Sequence, residues 1–207
     1  MITREELERA MNEGRAFIHP TEIEPFCRLV APAHTLVEIG TGFGACACLM
    51  LMSTEPTAYV HSVDPFQVDS HGTWQASAEQ ARFHIQNAAQ ALNFDAERWV
   101  LHEGLSHDVA QEATQTALAV DLVFVDGDHT YKAVKQDVED WLPLLRVGGL
   151  LLLHDSRRLP KMPKAEFHRG WPGPTRVANA LRKDERVELI EEAYSLTVWR
   201  KNADTAV

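Results

Sequence analysis

The stretch "LVEIGTGFGACACL", Leu36 to Leu49, decides how the rest of the chain reads. An apolar run stops at three glycines and resumes with the pattern of a helix. Strand, glycine turn and helix in that order form the standard way to bring backbone close to a nucleotide. Two patterns fit. Gly40, Gly42 and Ala45 match the dinucleotide signature G-x-G-x-x-G/A, whereas Glu38 with Gly40, Gly42 and Gly44 matches E-x-G-x-G-x-G. The letters of the turn alone do not choose between them.

Outward from the turn, apolar runs alternate with helical patterns. Thr35–Ile39 is the first strand and about Phe43–Ser53 the helix after it. Ala58–Val63 is the second strand, closing on Asp64-Pro65. After the polar loop "FQVDSHGTWQ", Ala81, Ile85, Ala88 and Leu92 share one helix face. "RWVLHEG" is a third strand and Val120–Asp126 a fourth. A helix over Thr130–Leu142 turns Tyr131, Val134, Val138 and Trp141 inward. Val147-Gly148-Gly149 reads as a turn into a fifth strand, Leu150–Leu153. A helix near Thr175–Lys183 and two strands, Val187–Glu192 and Ser195–Arg200, close the pattern. Ahead of it, residues 1–31 read as two helices, each opened by a capping box, Thr3 with Glu6 and Thr21 with Glu24. "KNADTAV", 201–207, reads as a loose tail. Strands alternating with helices mean a doubly wound α/β sheet, and no repeat or linker divides it; a single domain is expected.

The bulk numbers narrow the function. The 207 residues carry a formal charge of −10, which disfavours a nucleic-acid partner. No apolar run is long enough to span a bilayer, and the charged start "MITREELERAMNEG" does not resemble a signal peptide. Three cysteines, with Cys46-Ala47-Cys48 inside a buried helix pattern, form neither a disulfide framework nor a zinc motif. Cytoplasm is the expected location, and a homo-oligomer stays open.

Asp64, ending strand two about two dozen positions after Gly40, suits a ribose diol under either glycine pattern. Two other features separate them. Glu38 and Gly44 complete the second pattern but have no role in the first. The closing pair of strands reads as a hairpin, where a second dinucleotide half would need another crossover helix.

"DLVFVDGDHTYKAVKQDVEDWLPLLRVGGLLLLHD", Asp121–Asp155, is the longest motif-bearing segment. With VEIGTG-x-G and S-V-D-P before it, the chain resembles the class I S-adenosylmethionine-dependent methyltransferases over about Leu36–Arg200. The resemblance is to the small stand-alone branch with VDG-x-H-x-Y, related to catechol-type and macrocin-type O-methyltransferases. It implies a Rossmann-like seven-stranded sheet, mostly parallel with an antiparallel last strand, and methyl transfer to a small-molecule acceptor, most naturally at a hydroxyl oxygen. It assigns Glu38, Gly40, Thr41, Gly42 and Gly44 to the methionine end of S-adenosylmethionine, Asp64 to the ribose and Ser106 to the adenine side. In the catechol-type and sugar-modifying relatives the residues matching Asp126 and Asp155 hold magnesium, which would make the two aspartates, with His154 as a third donor, the metal positions here. Asp126 alternatively closes on the cofactor, and Asp155 on a backbone turn.

The chain departs from the family at several points. Ala45-Cys46 stand where Ser or Thr is usual, Leu105 replaces an adenine-side aspartate, Ser156 replaces an asparagine metal ligand, and His154 replaces an acidic one. Histidine is a poor magnesium ligand and suits manganese, iron or zinc better. His129 and His154, working with Asp126, are the general-base candidates, since imidazole titrates near neutrality; for His129 a local role in the first helical turn is the alternative. Asp128 reads as that helix's N-cap. "SRRLPKMPKAEFHRGWPGP", Ser156–Pro174, is long and basic, with Arg157 and Arg158 at its start, and is either a lid over a polar or anionic acceptor or a solvated loop. Two rival functions remain: a nicotinamide-dependent oxidoreductase, and an S-adenosylmethionine-binding protein without transferase activity.

Overall fold

A computed structural model describes residues 18–67, 76–157 and 172–203. The expected helix at Thr3, the centre of the loop after Asp64, most of the basic segment and the end of the tail lie outside those residues. The strands form a seven-stranded mixed sheet in the order β3-β2-β1-β4-β5-β7-β6. Along the chain the protein divides into two compact units, residues 1–105 and 106–207.

In the first unit, helix α1 is Pro20–Val30. The expected capping box at Thr21 and Glu24 sits two residues earlier instead, at His19 and Glu22. His19 is the N-cap, its Nδ1 accepting from the Thr21 N–H at 3.3 Å, while Glu22 Oε2 accepts from the His19 N–H at 2.8 Å. Pro20 explains the shift, because its fixed φ and missing N–H suit the first helical position. Three parallel strands follow: β1 (Thr35–Ile39), β2 (Tyr59–Val63) and β3 (Trp99–His102), with Ile39 opposite Val63 and Val63 opposite His102. Their carboxyl ends are thus in register, where ligand-binding loops of such sheets emerge.

Helix α2 (Ala45–Ser53) buries six of its residues, so it lies within the core rather than on it. Its C-terminal carbonyls need partners. The buried Arg98 guanidinium supplies one, donating to Leu51 O at 2.5 Å, and ties down the loop that follows through Glu55 O at 3.0 Å and Ala58 O at 3.2 Å. Helix α3 (Ala78–Leu92) is capped by Ser77 and Gln80 and ends at Asn93, φ 56°. Its buried face is Ala81, Ile85, Ala88 and Ala89, with Leu92 only half-buried.

The second unit opens with helix α4 (Ser106–Gln115), which the sequence reading did not include. Only Ala110 and Ala113 are buried on it, and two alanines make no visible apolar stripe. Strand β4 (Val120–Val125) pairs in parallel with β5 (Leu145–Leu153). The turn expected at Val147-Gly148-Gly149 is an irregularity inside β5. Val120 faces Leu145 but Leu122 faces Leu150, so residues 146–149 stand against Asp121 alone, with Gly148 at φ 81°. Gly149 must be glycine, because a Cβ there would stand 2.9 Å from Asp121 O. Helix α5 (Tyr131–Trp141) buries Val134, Asp137, Val138 and Trp141. Tyr131 is half-buried, covered by the Arg176 guanidinium 3.9 Å above its ring. Arg176 lies on α6 (Pro172–Leu181). Strands β6 (Val187–Ala193) and β7 (Leu196–Lys201) form the expected hairpin, with β7 antiparallel to both β5 and β6. No helix among the described residues is long and apolar enough to cross a membrane.

Candidate active site

The glycine turn leaves β1 at its carboxyl end. Gly40, Gly42 and Gly44 have φ of 91°, 53° and 85°, a region that side chains disfavour. Asp64, at the end of β2, holds the turn. Its Oδ2 accepts from the Gly42 N–H at 2.9 Å and its Oδ1 from the Phe66 N–H at 2.7 Å. Those two bonds leave acceptor sites free on the carboxylate for a diol. Glu38 is wholly buried and accepts from Ser62 Oγ at 2.5 Å; the same hydroxyl accepts from Trp99 Nε1 at 2.8 Å. The Thr41 hydroxyl is buried without a hydrogen-bond partner, an arrangement that costs free energy unless a ligand supplies one. The stretch Gly40–Ala45 contains no lysine or arginine, and Glu38 is the charged side chain at its base.

Gly44 has a packing role too: a Cβ there would lie 2.9 Å from Ile85 Cδ1 on α3. On the following helix, burial pushes the Cys48 thiol up to about 12, helped by the Glu38 charge, so this cysteine is inert filler.

Ser106, the adenine-side candidate, opens α4. Its hydroxyl accepts from Trp141 Nε1 at 2.9 Å and hydrogen-bonds the Asp137 carboxylate. Two residues one turn apart on α5 thus grip it. Burial raises the Asp137 carboxyl to about 6, against the Ser106 bond and with the charges of Asp140 and Asp128 adding to the rise. Leu105, at the position of the missing acid, is half-exposed.

The strongest clustering of chemistry lies at the ends of β4 and β5. Val125 and Leu153 are paired across the two strands, and the His154 N–H donates to Val125 O at 3.1 Å. The chain therefore sets Asp126 beside His154 and Asp155. His154 is buried, with its Nδ1 2.9 Å from Asp126 Oδ1 and 3.9 Å from Asp155 Oδ1. His129 reaches the same place from the loop after β4, its Nε2 3.3 Å from Asp155 Oδ2 and 3.7 Å from Asp126 Oδ1. Burial pulls the His129 imidazole down, but the Asp155 hydrogen bond and the charges of Asp126 and Asp155 outweigh it and leave it raised. Asp155 sits at φ 48°, a conformation few non-glycine residues adopt.

Other expected roles differ. Asp128 is not the N-cap of α5: its Oδ1 accepts from the Thr130 N–H at 2.8 Å, while the Thr130 hydroxyl caps Ala133 at 3.2 Å. An aspartate two residues upstream makes a local turn and leaves the capping to the residue next to the helix. Ser156 is buried and turned to the backbone, donating to Leu153 O at 2.7 Å and lying 2.6 Å from Thr197 Oγ1. Arg157 of the basic segment pairs with Glu192 at 3.3 Å. Sequence order alone did not show that His129 meets Asp155, nor that Gly173 on α6 presses on the same loop. A Cβ on Gly173 would stand 2.1 Å from His129 O and 2.7 Å from Tyr131 N. The only signal for it was a glycine between two prolines.

A family model described as a methyltransferase domain matches residues 37–156, and the chain belongs to that family. Its fold is that of the class I S-adenosylmethionine-dependent methyltransferases. Among solved structures it is similar to the O-methyltransferase TomG of Streptomyces achromogenes, involved in tomaymycin synthesis and solved with SAM. The two share 19% identity over 96% of this chain and 90% of that one, with a TM-score of 0.67. It is equally similar to a Bacillus cereus O-methyltransferase in complex with SAH, at 19% identity, 98% and 93% coverage and a TM-score of 0.66. At such identities the likeness speaks for the fold. Among curated proteins it matches Uncharacterized protein y4gI of Sinorhizobium fredii, 29% identical over 126 residues, 58% of this chain. The match spans only 13% of that protein's length.

Proposed function

We propose that this protein transfers a methyl group from S-adenosylmethionine to a hydroxyl oxygen of a small molecule. The observation that carries the reading is the turn after β1. Three glycines sit at positive φ, an acid at the end of β2 ties the turn down, and a buried threonine hydroxyl is left without a partner. Glu38 at the base of the turn puts an acid, not a cation, beside it, so the residues suit a zwitterion, a diol and a positive sulfur. When bound, the cofactor supplies a methyl group already activated on a cationic sulfur.

The protein's own work is then to hold and to deprotonate. Glu38 and the Gly40–Gly44 backbone, with Thr41, take the methionine end; Asp64 accepts from the ribose hydroxyls; Ser106 takes the adenine side. His129 is the base for the acceptor's proton. Its Nε2 faces two carboxylates, which orient the ring and stabilise the imidazolium once it forms. Asp126 serves that role doubly, since it also fixes the His154 ring.

Calorimetry tests the donor half: heat of association with S-adenosylmethionine or its demethylated product, and none with NAD, is expected. Binding of NAD alone would establish the oxidoreductase. Release of the demethylated cofactor in the presence of hydroxylated acceptors tests the second half. Binding without turnover over a broad acceptor panel, with Asp126→Asn silent, would leave only a cofactor-binding protein.

A further inference from the structure

The magnesium that the family resemblance implies does not fit the donors gathered here. Magnesium demands oxygen ligands in near-octahedral order and keeps much of its water. Asp126, His129 and His154 instead offer one carboxylate oxygen and two imidazole nitrogens, all within 4.8 Å of one another. Ser156, where an oxygen donor would stand in the relatives, is committed to Leu153 O and Thr197. We propose that Asp126, His129 and His154 form a site for a borderline divalent transition ion of the zinc class, with Asp155 beside it as a fourth donor.

The spacing supports this. Asp126 Oδ1 lies 2.9 Å from His154 Nδ1 and 3.7 Å from His129 Nε2, and Asp155 Oδ2 lies 3.3 Å from the same nitrogen. A tetrahedral ion with bonds of about 2.0–2.1 Å sets its ligands about 3.3–3.4 Å apart. These three edges need shifts of only a few tenths of an ångström to close on an ion, and the two imidazole nitrogens lie within 4.8 Å of each other. The scaffold is stiff where it needs to be, since Asp126 and His154 follow the paired residues Val125 and Leu153 and the His154 N–H donates to Val125 O. His154 packs edge-on against Phe124, 6.1 Å between ring centroids, which fixes the buried ring. The charge is also suitable: two carboxylates sit with two imidazoles, so a dication would neutralise what the imidazoles neutralise only when protonated. Without the ion, the close His154–Asp126 approach is an N–H donated to a carboxylate. Coordination requires that proton to leave Nδ1, so binding strengthens as pH rises. The dication would supply Lewis acidity at the place where His129 otherwise acts as a base.

This proposal deepens the reading of the same site, but its test needs neither donor nor turnover. The full chain, stripped with a chelator, is titrated with cobalt(II) and followed in the visible, then back-titrated with zinc. Expected are d–d bands of a tetrahedral or five-coordinate ion that zinc abolishes. Calorimetry is expected to give zinc at least about 100-fold tighter than magnesium. His129→Ala and His154→Ala should each weaken zinc by about tenfold or more while far-ultraviolet circular dichroism stays native. His84→Ala, outside the cluster, should not. Several results would overturn the proposal: magnesium binding as tightly as zinc, absence of the cobalt bands, or zinc affinity unchanged in a natively folded His129→Ala protein. A thiolate-to-cobalt band in the near ultraviolet would overturn it as well, by moving the ion to a cysteine. If donor binding survives any of these results, the methyltransferase reading stands without the metal; if donor binding fails while the cobalt bands appear, the reverse holds.

Discussion

The glycine turn after β1 and the cluster at the ends of β4 and β5 are built on opposite principles. The turn is a backbone device. Its geometry is set by three residues without Cβ and by Asp64 bonding to the Gly42 N–H. The cluster is a side-chain device, in which Asp126, His129, His154 and Asp155 hold one another through contacts of 2.9 to 3.9 Å. Such a set is only as well ordered as its charge balance, because two carboxylates alone would separate. A backbone device tolerates loss of any single distant side chain; a mutual one does not.

The largest effect should therefore come from removing one member of the cluster. His129→Ala takes away the base and the ring set between two aspartates. Turnover is expected to fall by about 10²–10⁴-fold, while calorimetry shows the heat of donor binding unchanged. If donor affinity fell in parallel, the two regions would not be separable and the comparison would be broken.

Two glycines sharpen it further. Gly173→Ala places a Cβ against His129 O and Tyr131 N, both backbone and unable to give way. The α6 start and the His129 loop must then part, and a misplacement near an ångström can cost about 100-fold in rate. Turnover should drop by about 10–100-fold with donor affinity intact. Gly44→Ala meets only the tip of Ile85, a flexible neighbour, so strain at φ 85° is its main cost. About 1–2 kcal/mol of strain should appear as donor affinity weakened by about tenfold, with turnover at saturating donor near normal. Equal effects of the two substitutions on kcat would contradict the division of labour.

How far the sequence carried the reading follows the same division. The glycines, Asp64, and the order Asp126, His129, His154, Asp155 were legible, because strand ends and turn residues are local signals. The parallel strands and closing hairpin were legible from apolar runs. What escaped was whatever depended on neighbours remote in sequence. Helix α4 was missed because its buried face is only Ala110 and Ala113. The extra residues of β5 read as a turn because "RVGG" is polar and glycine-rich, and only pairing with β4 reveals the bulge. Arg98 gives no local hint that it ends α2 from 47 positions away at Leu51. The approach of Gly173 to His129 is a property of packing, invisible in either segment alone.

Asp137 gives the smallest expected effect on function and tests a third kind of order, the grip of α5 on Ser106. Its carboxyl is raised to about 6 from 3.8, first by burial. The folded protein thus holds a proton that the unfolded chain has released between about pH 4 and pH 6. Stability contributed by this group falls as pH rises through that window, and the cost is complete above it. Asn cannot ionise yet keeps an oxygen to accept from Ser106. Asp137→Asn is therefore expected to be more stable than the parent above pH 6, by about 1–3 kcal/mol, with the difference vanishing near pH 4. Melting curves of both proteins at pH 4, 5, 6 and 8 check the sign. A variant less stable than the parent at pH 8 would show that the Ser106–Asp137 bond outweighs the burial of the charge. Donor affinity and turnover at pH 8 should stay within about twofold, because the hydroxyl that Trp141 and residue 137 hold remains where it was.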